Sequence, residues 1–139
     1  MQSSLHLLLL EAFMRSNRKL TKKLPKAGLL PGQPKILEYL LTHDGCSQKE
    51  IGEGCILDKS TVTSLLKRME AGALIYKKLD ANDQRYSLIY LTALGKEKAL
   101  WVQQTLYKID EAELADITSE ERQQFKQTLA KIIQNQMKW

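Results

Sequence analysis

Apolar positions along the chain follow two rhythms, and the change between them comes near its middle. Val62, Leu65, Leu66 and Met69 recur at i, i+3, i+4 and i+7, the period of a helix with one stripe on a core. At 100° per residue the opposite face carries Ser60, Ser64 and Lys67, flanked by Lys59, Thr61, Thr63 and Arg68. That face holds hydroxyls and cations and no large apolar group. Asp58 or Ser60 is placed to cap the helix by accepting an orphan N–H. The period then shortens. LIYKKL and RYSLIYL are rich in β-branched, aromatic and aliphatic residues, and the polar run DANDQ lies between them, so the pair reads as a β-hairpin.

The flanks read as helices. Residues 5–24 are apolar almost all round at first and basic later, with Pro25 and Gly28 expected to end the helix. A helix that is apolar on most sides is covered on most sides, which in a small chain points to a second copy, the alternative being packing on its own core. A second helix carries Ile36, Leu37, Leu40 and Leu41 on one stripe, with Pro31 and Pro34 confined to its opening turn. Ser47, followed three residues on by Glu50, marks a capping box opening a short third helix. Ile51 and Cys55 are its expected core contacts, helped by Ile56 and Leu57 in the turn. After the hairpin Thr92 can cap a long helix holding Leu94, Leu100, Trp101 and Ile109, with Gly95 expected to loosen its first turn. Thr118 or Ser119 caps a last helix striped by Phe125, Leu129, Ile132, Ile133 and Met137.

At 139 residues the chain has room for one domain with a real core, or a small domain with helical extensions. The formal charge of +5 favours an anionic partner, and its placement says more than its size. Residues 1–26 hold Arg15, Arg18, Lys19, Lys22, Lys23 and Lys26 against one acid, Glu11. Cys46 and Cys55 are too few for a disulfide framework and are expected to be reduced. LHLLLL is too short to span a bilayer and lacks the flanks of a signal peptide, so a cytoplasmic protein with no membrane partner is expected. His6 and His43 have no ligand-spaced partner, so neither a metal site nor a cofactor is expected. There is no nucleophile–base arrangement, no phosphate-cradling glycine loop and no carboxylate pair placed for acid–base work. An enzyme is therefore not expected. A short polar-faced helix followed by a hairpin with a charged tip suits a DNA duplex: helix in the major groove, hairpin on the backbone or in the minor groove.

The motifs GQPKIL, SQKEIGEGCILDKSTVTSLLKRME, DANDQR and LTALGKE, spread over roughly residues 28–100, resemble the multiple-antibiotic-resistance regulator (MarR) family of bacterial transcription factors. The resemblance implies a mainly α fold with a small β-hairpin wing, in the α+β class. This is a winged helix-turn-helix whose N- and C-terminal helices form a dimerisation layer. In that scheme residues 1–139 are a single domain, with dimerisation helices at 1–24 and 93–139 and a DNA-binding lobe at 31–92. It further implies a homodimer on a palindromic double-stranded operator, usually as a repressor, with a small aromatic effector as a candidate ligand. The alternative is a winged helix used only for protein contacts. Asp83 and Arg85 match the family's wing pair, the Asp holding the wing and the Arg entering the minor groove. Two positions depart from the pattern. Leu30 stands where a Thr often caps the second helix. Ala73 stands where Gly usually precedes Leu-Ile, so either Gly72 takes the left-handed turn or Ala73 does so under strain of about 1 kcal/mol.

The residues expected to meet DNA are Lys59, Ser60, Thr61, Thr63, Ser64, Lys67 and Arg68 on the reading helix, with Lys77 and Arg85 on the wing. Ser47, Gln48 and Lys49, at the start of the supporting helix, are expected to touch the backbone. The plain alternative for each is a solvated surface; for Arg85 it is an ion pair with Asp83. Phe13, Tyr39 and Trp101 are candidates to line a ligand pocket, against the alternative of core or dimer contacts. Family members that sense peroxides carry a reactive cysteine in the first helix, where this chain has none. Cys55 reads as a small core hydrophobe, and Cys46, in a loop, as a candidate reactive thiol.

Overall fold

The computed structural model describes residues 3–139. In chain order the elements are α1 (Leu5–Ala27), α2 (Gln33–Thr42), β1 (Cys46–Ser47), α3 (Gln48–Cys55), α4 (Lys59–Ala71), β2 (Ile75–Leu79), β3 (Ser87–Leu91), α5 (Ala93–Glu113) and α6 (Ser119–Gln136). The three strands form one antiparallel sheet in the order β1-β3-β2. The chain divides into two compact units, Met1–Tyr107 and Lys108–Trp139.

In the first unit the core is built from the apolar stripes. Ile36, Leu37 and Leu40 of α2, Ile51 of α3, and Val62, Leu66 and Met69 of α4 are buried with Ile75 and Ile89 of the sheet. Each fully buried aliphatic side chain contributes about 1.5–3 kcal/mol relative to exposure, so this cluster fixes where α4 sits. β1 is too short to carry a period, but Cys46 pairs with Ile89 and Ser47 with Leu88. Asp44 Oδ1 also accepts from the Leu91 N–H at 2.8 Å, tying the loop before α3 to the base of the wing.

Several helix ends differ from expectation. Pro25 lies inside α1 rather than ending it. The stop comes at Gly28, whose φ of 71° lets its N–H reach Pro25 O while the Leu29 N–H reaches Leu24 O, closing the last turn as a left-handed cap. No side chain caps α2, which starts from Gly32. Gln33 instead turns back to accept the Leu30 N–H at 3.0 Å. The capping box on α3 is present in both directions. At the end of α4 Gly72 stays right-handed and Ala73 takes the positive φ of 60°, so the strain falls on alanine. Ile56 does not help the core. It is 87% exposed and itself left-handed, at φ 56°, because the sharp turn between α3 and α4 aims its side chain away from the protein.

Gly95 is where α5 meets the start of the wing. A Cβ there would lie 1.9 Å from Leu74 O, so only glycine lets α5 approach the start of the wing. Thr92 completes this junction. Its hydroxyl donates to Ala73 O at 2.6 Å and accepts from the Gly95 N–H at 2.9 Å, capping α5. In the second unit Thr118 caps α6 by accepting from the Glu121 N–H at 3.1 Å, and no residue of α6 is buried.

Candidate nucleic-acid interface

The reading helix α4 is anchored at its first turn. Asp58 Oδ1 accepts from the Thr61 N–H at 2.7 Å and from the Ser60 hydroxyl at 2.9 Å. These hydrogen bonds, the Thr61 backbone one foremost, hold the Asp58 carboxyl below its ordinary range. The carboxylate is therefore fully ionised at neutral pH and keeps the cap. Behind α4 the Val62–Leu66–Met69 stripe is buried; in front, Lys59, Ser60, Thr63, Ser64, Lys67 and Arg68 are exposed. Thr61 is half-buried beside the cap.

The supporting helix α3 brings Ser47, Gln48 and Lys49 to the same region. Ser47 accepts from the Glu50 N–H at 3.1 Å and its own N–H donates to Glu50 Oε1 at 3.2 Å, so its hydroxyl is committed first to the cap. Lys49 is exposed. Gln48 reaches across fifteen residues to donate from Nε2 to the Thr63 hydroxyl on the outward face of α4. Sequence spacing gives no signal for this link.

At the wing, Arg85 and Asp83 form a two-pronged pair: Nε to Oδ1 at 3.0 Å and Nη2 to Oδ2 at 2.8 Å. The Arg85 backbone N–H also donates to Oδ1 at 3.1 Å. The paired guanidinium pulls the Asp83 carboxyl down, and Asp83 in turn raises Arg85. The fork orders an otherwise free side chain at the tip and leaves Arg85 largely exposed. Lys77 and Lys78 are exposed on β2, opposite Ile89 and Leu88. Successive strand residues point to opposite faces, so a single surface cannot use both lysines equally.

A separate cleft of about 330 Å³ opens in the first unit between α1, α2 and α5. Phe13 lines it with Asn17, Leu20, Thr21, Lys35 and Glu38, among others. Lys35 Nζ stands 5.6 Å from the centre of the Phe13 ring. Tyr39 and Trp101 do not line this cleft. Tyr39 instead stacks on His43, with ring centres 4.0 Å apart, over the space left by Gly54. Leu106 is the contribution of α5, and five residues carry Trp101 about 140° around the helix from it. The α1 lining was legible in part: Phe13, Asn17, Thr21 and Leu24 follow helical spacing as a mixed polar and apolar stripe.

Cys46 is buried in β1 rather than lying in an open loop, and burial pushes its thiol up to about 11. Cys55 is half-buried, its Sγ 3.6 Å from Lys35 O, and burial raises it too. Among the described residues no group of three or more His, Cys, Asp or Glu is placed to hold a metal ion. Nor is any described helix long and apolar enough to cross a membrane.

A polar, cation-bearing helix seated on a short scaffold helix and followed by a paired wing defines a winged helix-turn-helix transcriptional regulator. Residues 27–85 match the MarR family, and the chain belongs to it. The organic hydroperoxide resistance transcriptional regulator of Bacillus subtilis is 39% identical over 98 residues, 66% of this chain and 67% of that protein. A second B. subtilis regulator, YxaD, is 30% identical over 124 residues, 88% of this chain and 87% of that one. Among solved structures, a MarR-family regulator from Silicibacter pomeroyi has a TM-score of 0.83 at 28% identity, covering 92% of this chain and 86% of its own. A complex of MepR from S. aureus with DNA has a TM-score of 0.84 at 25% identity, covering 96% and 99%.

Proposed function

We propose that this regulator binds a palindromic double-stranded operator as a homodimer and represses transcription until a small effector releases it. One observation carries the reading: the outward face of α4 is hydroxyl and cation, exposed over a stripe whose Val62, Leu66 and Met69 are fully buried. Each protomer lays that face in a major groove, with Arg85 reaching the neighbouring minor groove, where a narrow groove concentrates negative potential. Lys59, Ser60, Ser64, Lys67 and Arg68 are the reading-helix contacts, and Ser47, Lys49 and Lys77 meet phosphates. The MepR–DNA complex supports the mode of binding by likeness of fold. Dimerisation is supported by apolar side chains left open on a single chain: Leu5, Leu8 and Met14 on α1, and Phe125, Ile133 and Met137 on α6. The cleft at Phe13 is of a size for a small aromatic effector. The protein works in the cytoplasm and acts by binding rather than by catalysis.

The hydroperoxide resistance in the name of the B. subtilis relative does not extend to this chain as a cysteine-based response. The two cysteines here are Cys46 and Cys55, outside α1, and burial raises both thiols above their ordinary range. Electrophoretic shift with the DNA preceding the protein's own gene tests the proposal. A shifted band competed by the same unlabelled duplex, but not by an unrelated one, is expected. A dimer that retards neither duplex would leave the protein-contact reading standing instead.

A further inference from the structure

We infer that Gln48 reads an adenine in the major groove, and that Thr63 is the positioning residue that orients its amide; the inference rests on the DNA binding proposed above. The Thr63 hydroxyl has one proton, and it donates that proton to Lys59 O at 2.9 Å. Towards Gln48 it can therefore only accept, so the amide nitrogen of Gln48, not its oxygen, faces Thr63. One N–H of Nε2 is spent on Thr63. Giving Thr63 the N–H trans to Oε1 leaves the cis N–H and Oε1 side by side on one edge of a half-buried side chain, next to the exposed face of α4.

A donor and an acceptor on one edge complement adenine, whose N7 accepts and whose N6 amino group donates in the major groove. Guanine presents two acceptors there and would leave Oε1 against O6. A phosphate likewise offers only acceptors, and would use half of the edge. The backbone of Gln48 is held by the Ser47–Glu50 capping box, so both ends of the side chain are fixed before DNA arrives. The backbone contact expected of Gln48 from sequence becomes a base contact.

The test begins by selecting an operator with the full-length protein from a pool of random-sequence duplexes. Affinities are then measured for every base at each half-site position, over a range of salt. Gln48→Ala should lose a preference for adenine of about tenfold at one position per half-site, with the salt slope unchanged, because no phosphate contact is lost. Thr63→Val, close to isosteric, should weaken the same preference at the same position, and Thr63→Ser should keep it. Gln48→Met, which fills the same space, repeats the measurement if the alanine variant folds poorly. The inference is overturned if every base preference survives in the Gln48 variants, or if all sequences weaken alike while the slope falls by about 0.9. A wild-type protein that retains no duplex from the pool would instead bring down the proposed function itself.

Discussion

α4 and α6 are written in the same rhythm and meet opposite fates. Both are capped by a side-chain oxygen on the N–H three residues along, Asp58 on Thr61 and Thr118 on Glu121. Both carry apolar residues at helical spacing. In α4 that stripe is sealed, with Val62, Leu66 and Met69 each 1% exposed or less. In α6 Phe125 is 57% exposed, Ile133 52% and Met137 79%. Periodicity therefore reports which face of a helix is apolar, but not which molecule covers it. α4 spends its stripe inside the chain so that its polar face can be held out rigidly. In α6 the stripe is left open on the single chain, and a patch of this kind is costly to leave in water.

The comparison breaks first at α6. Phe125→Asp combined with Ile133→Asp should convert the dimer to a monomer in sedimentation. Operator affinity should fall with it by about 10²–10⁴-fold, the usual advantage of two linked binding modules. A double variant that stays dimeric would mean another surface joins the copies. At α4 the matching truncation, Leu66→Ala, should cost about 2–5 kcal/mol in urea unfolding, a loss from the core alone. The strained ends of the lobe offer gains instead. Ala73→Gly should stabilise by about 1 kcal/mol, because it relieves a positive φ without removing a packed side chain. Arg85→Ala should leave unfolding nearly untouched, yet weaken operator binding and lower its salt slope by about one phosphate contact. An unchanged slope in a folded dimer would remove Arg85 from the interface. The smallest effect concerns Cys46. At pH 8 only about one thiol in a thousand should be ionised, so alkylation of the native protein should be far slower than of the unfolded chain. Stability linked to this thiol is present below the ordinary thiol range and declines as pH rises towards about 11.

Much of the lobe was legible because its determinants are local. The Ser47–Glu50 box, the Val62–Met69 stripe, the hairpin around DANDQ and the cap at Thr92 each rest on residues within two turns or one hairpin. What escaped was set by distance or by close approach. β1 is two residues long and exists only because β3 pairs with it. Gly95 reads as a flaw in a helix, but Leu74 O lies 1.9 Å from where its Cβ would be. Ile56 looked like core by composition, but the turn's left-handed geometry overrode its hydrophobicity. Of the three residues expected to line a pocket, Phe13 alone lines the cleft. Tyr39 found a stacking partner in His43, and Trp101 points around the helix from Leu106. At the interface the hydroxyl and cation face was readable. The Gln48–Thr63 link was not, since nothing in the spacing of two polar residues on different helices reports a hydrogen bond.

The central claim is that two copies of α4 enter one duplex together. Methylation-protection footprinting of the dimer on its selected operator measures this most directly. Two protected major-groove patches are expected, related by a two-fold axis and about one helical turn, or roughly 34–36 Å, apart. A single protected patch, or protection confined to the sugar–phosphate backbone with no base covered, would contradict it.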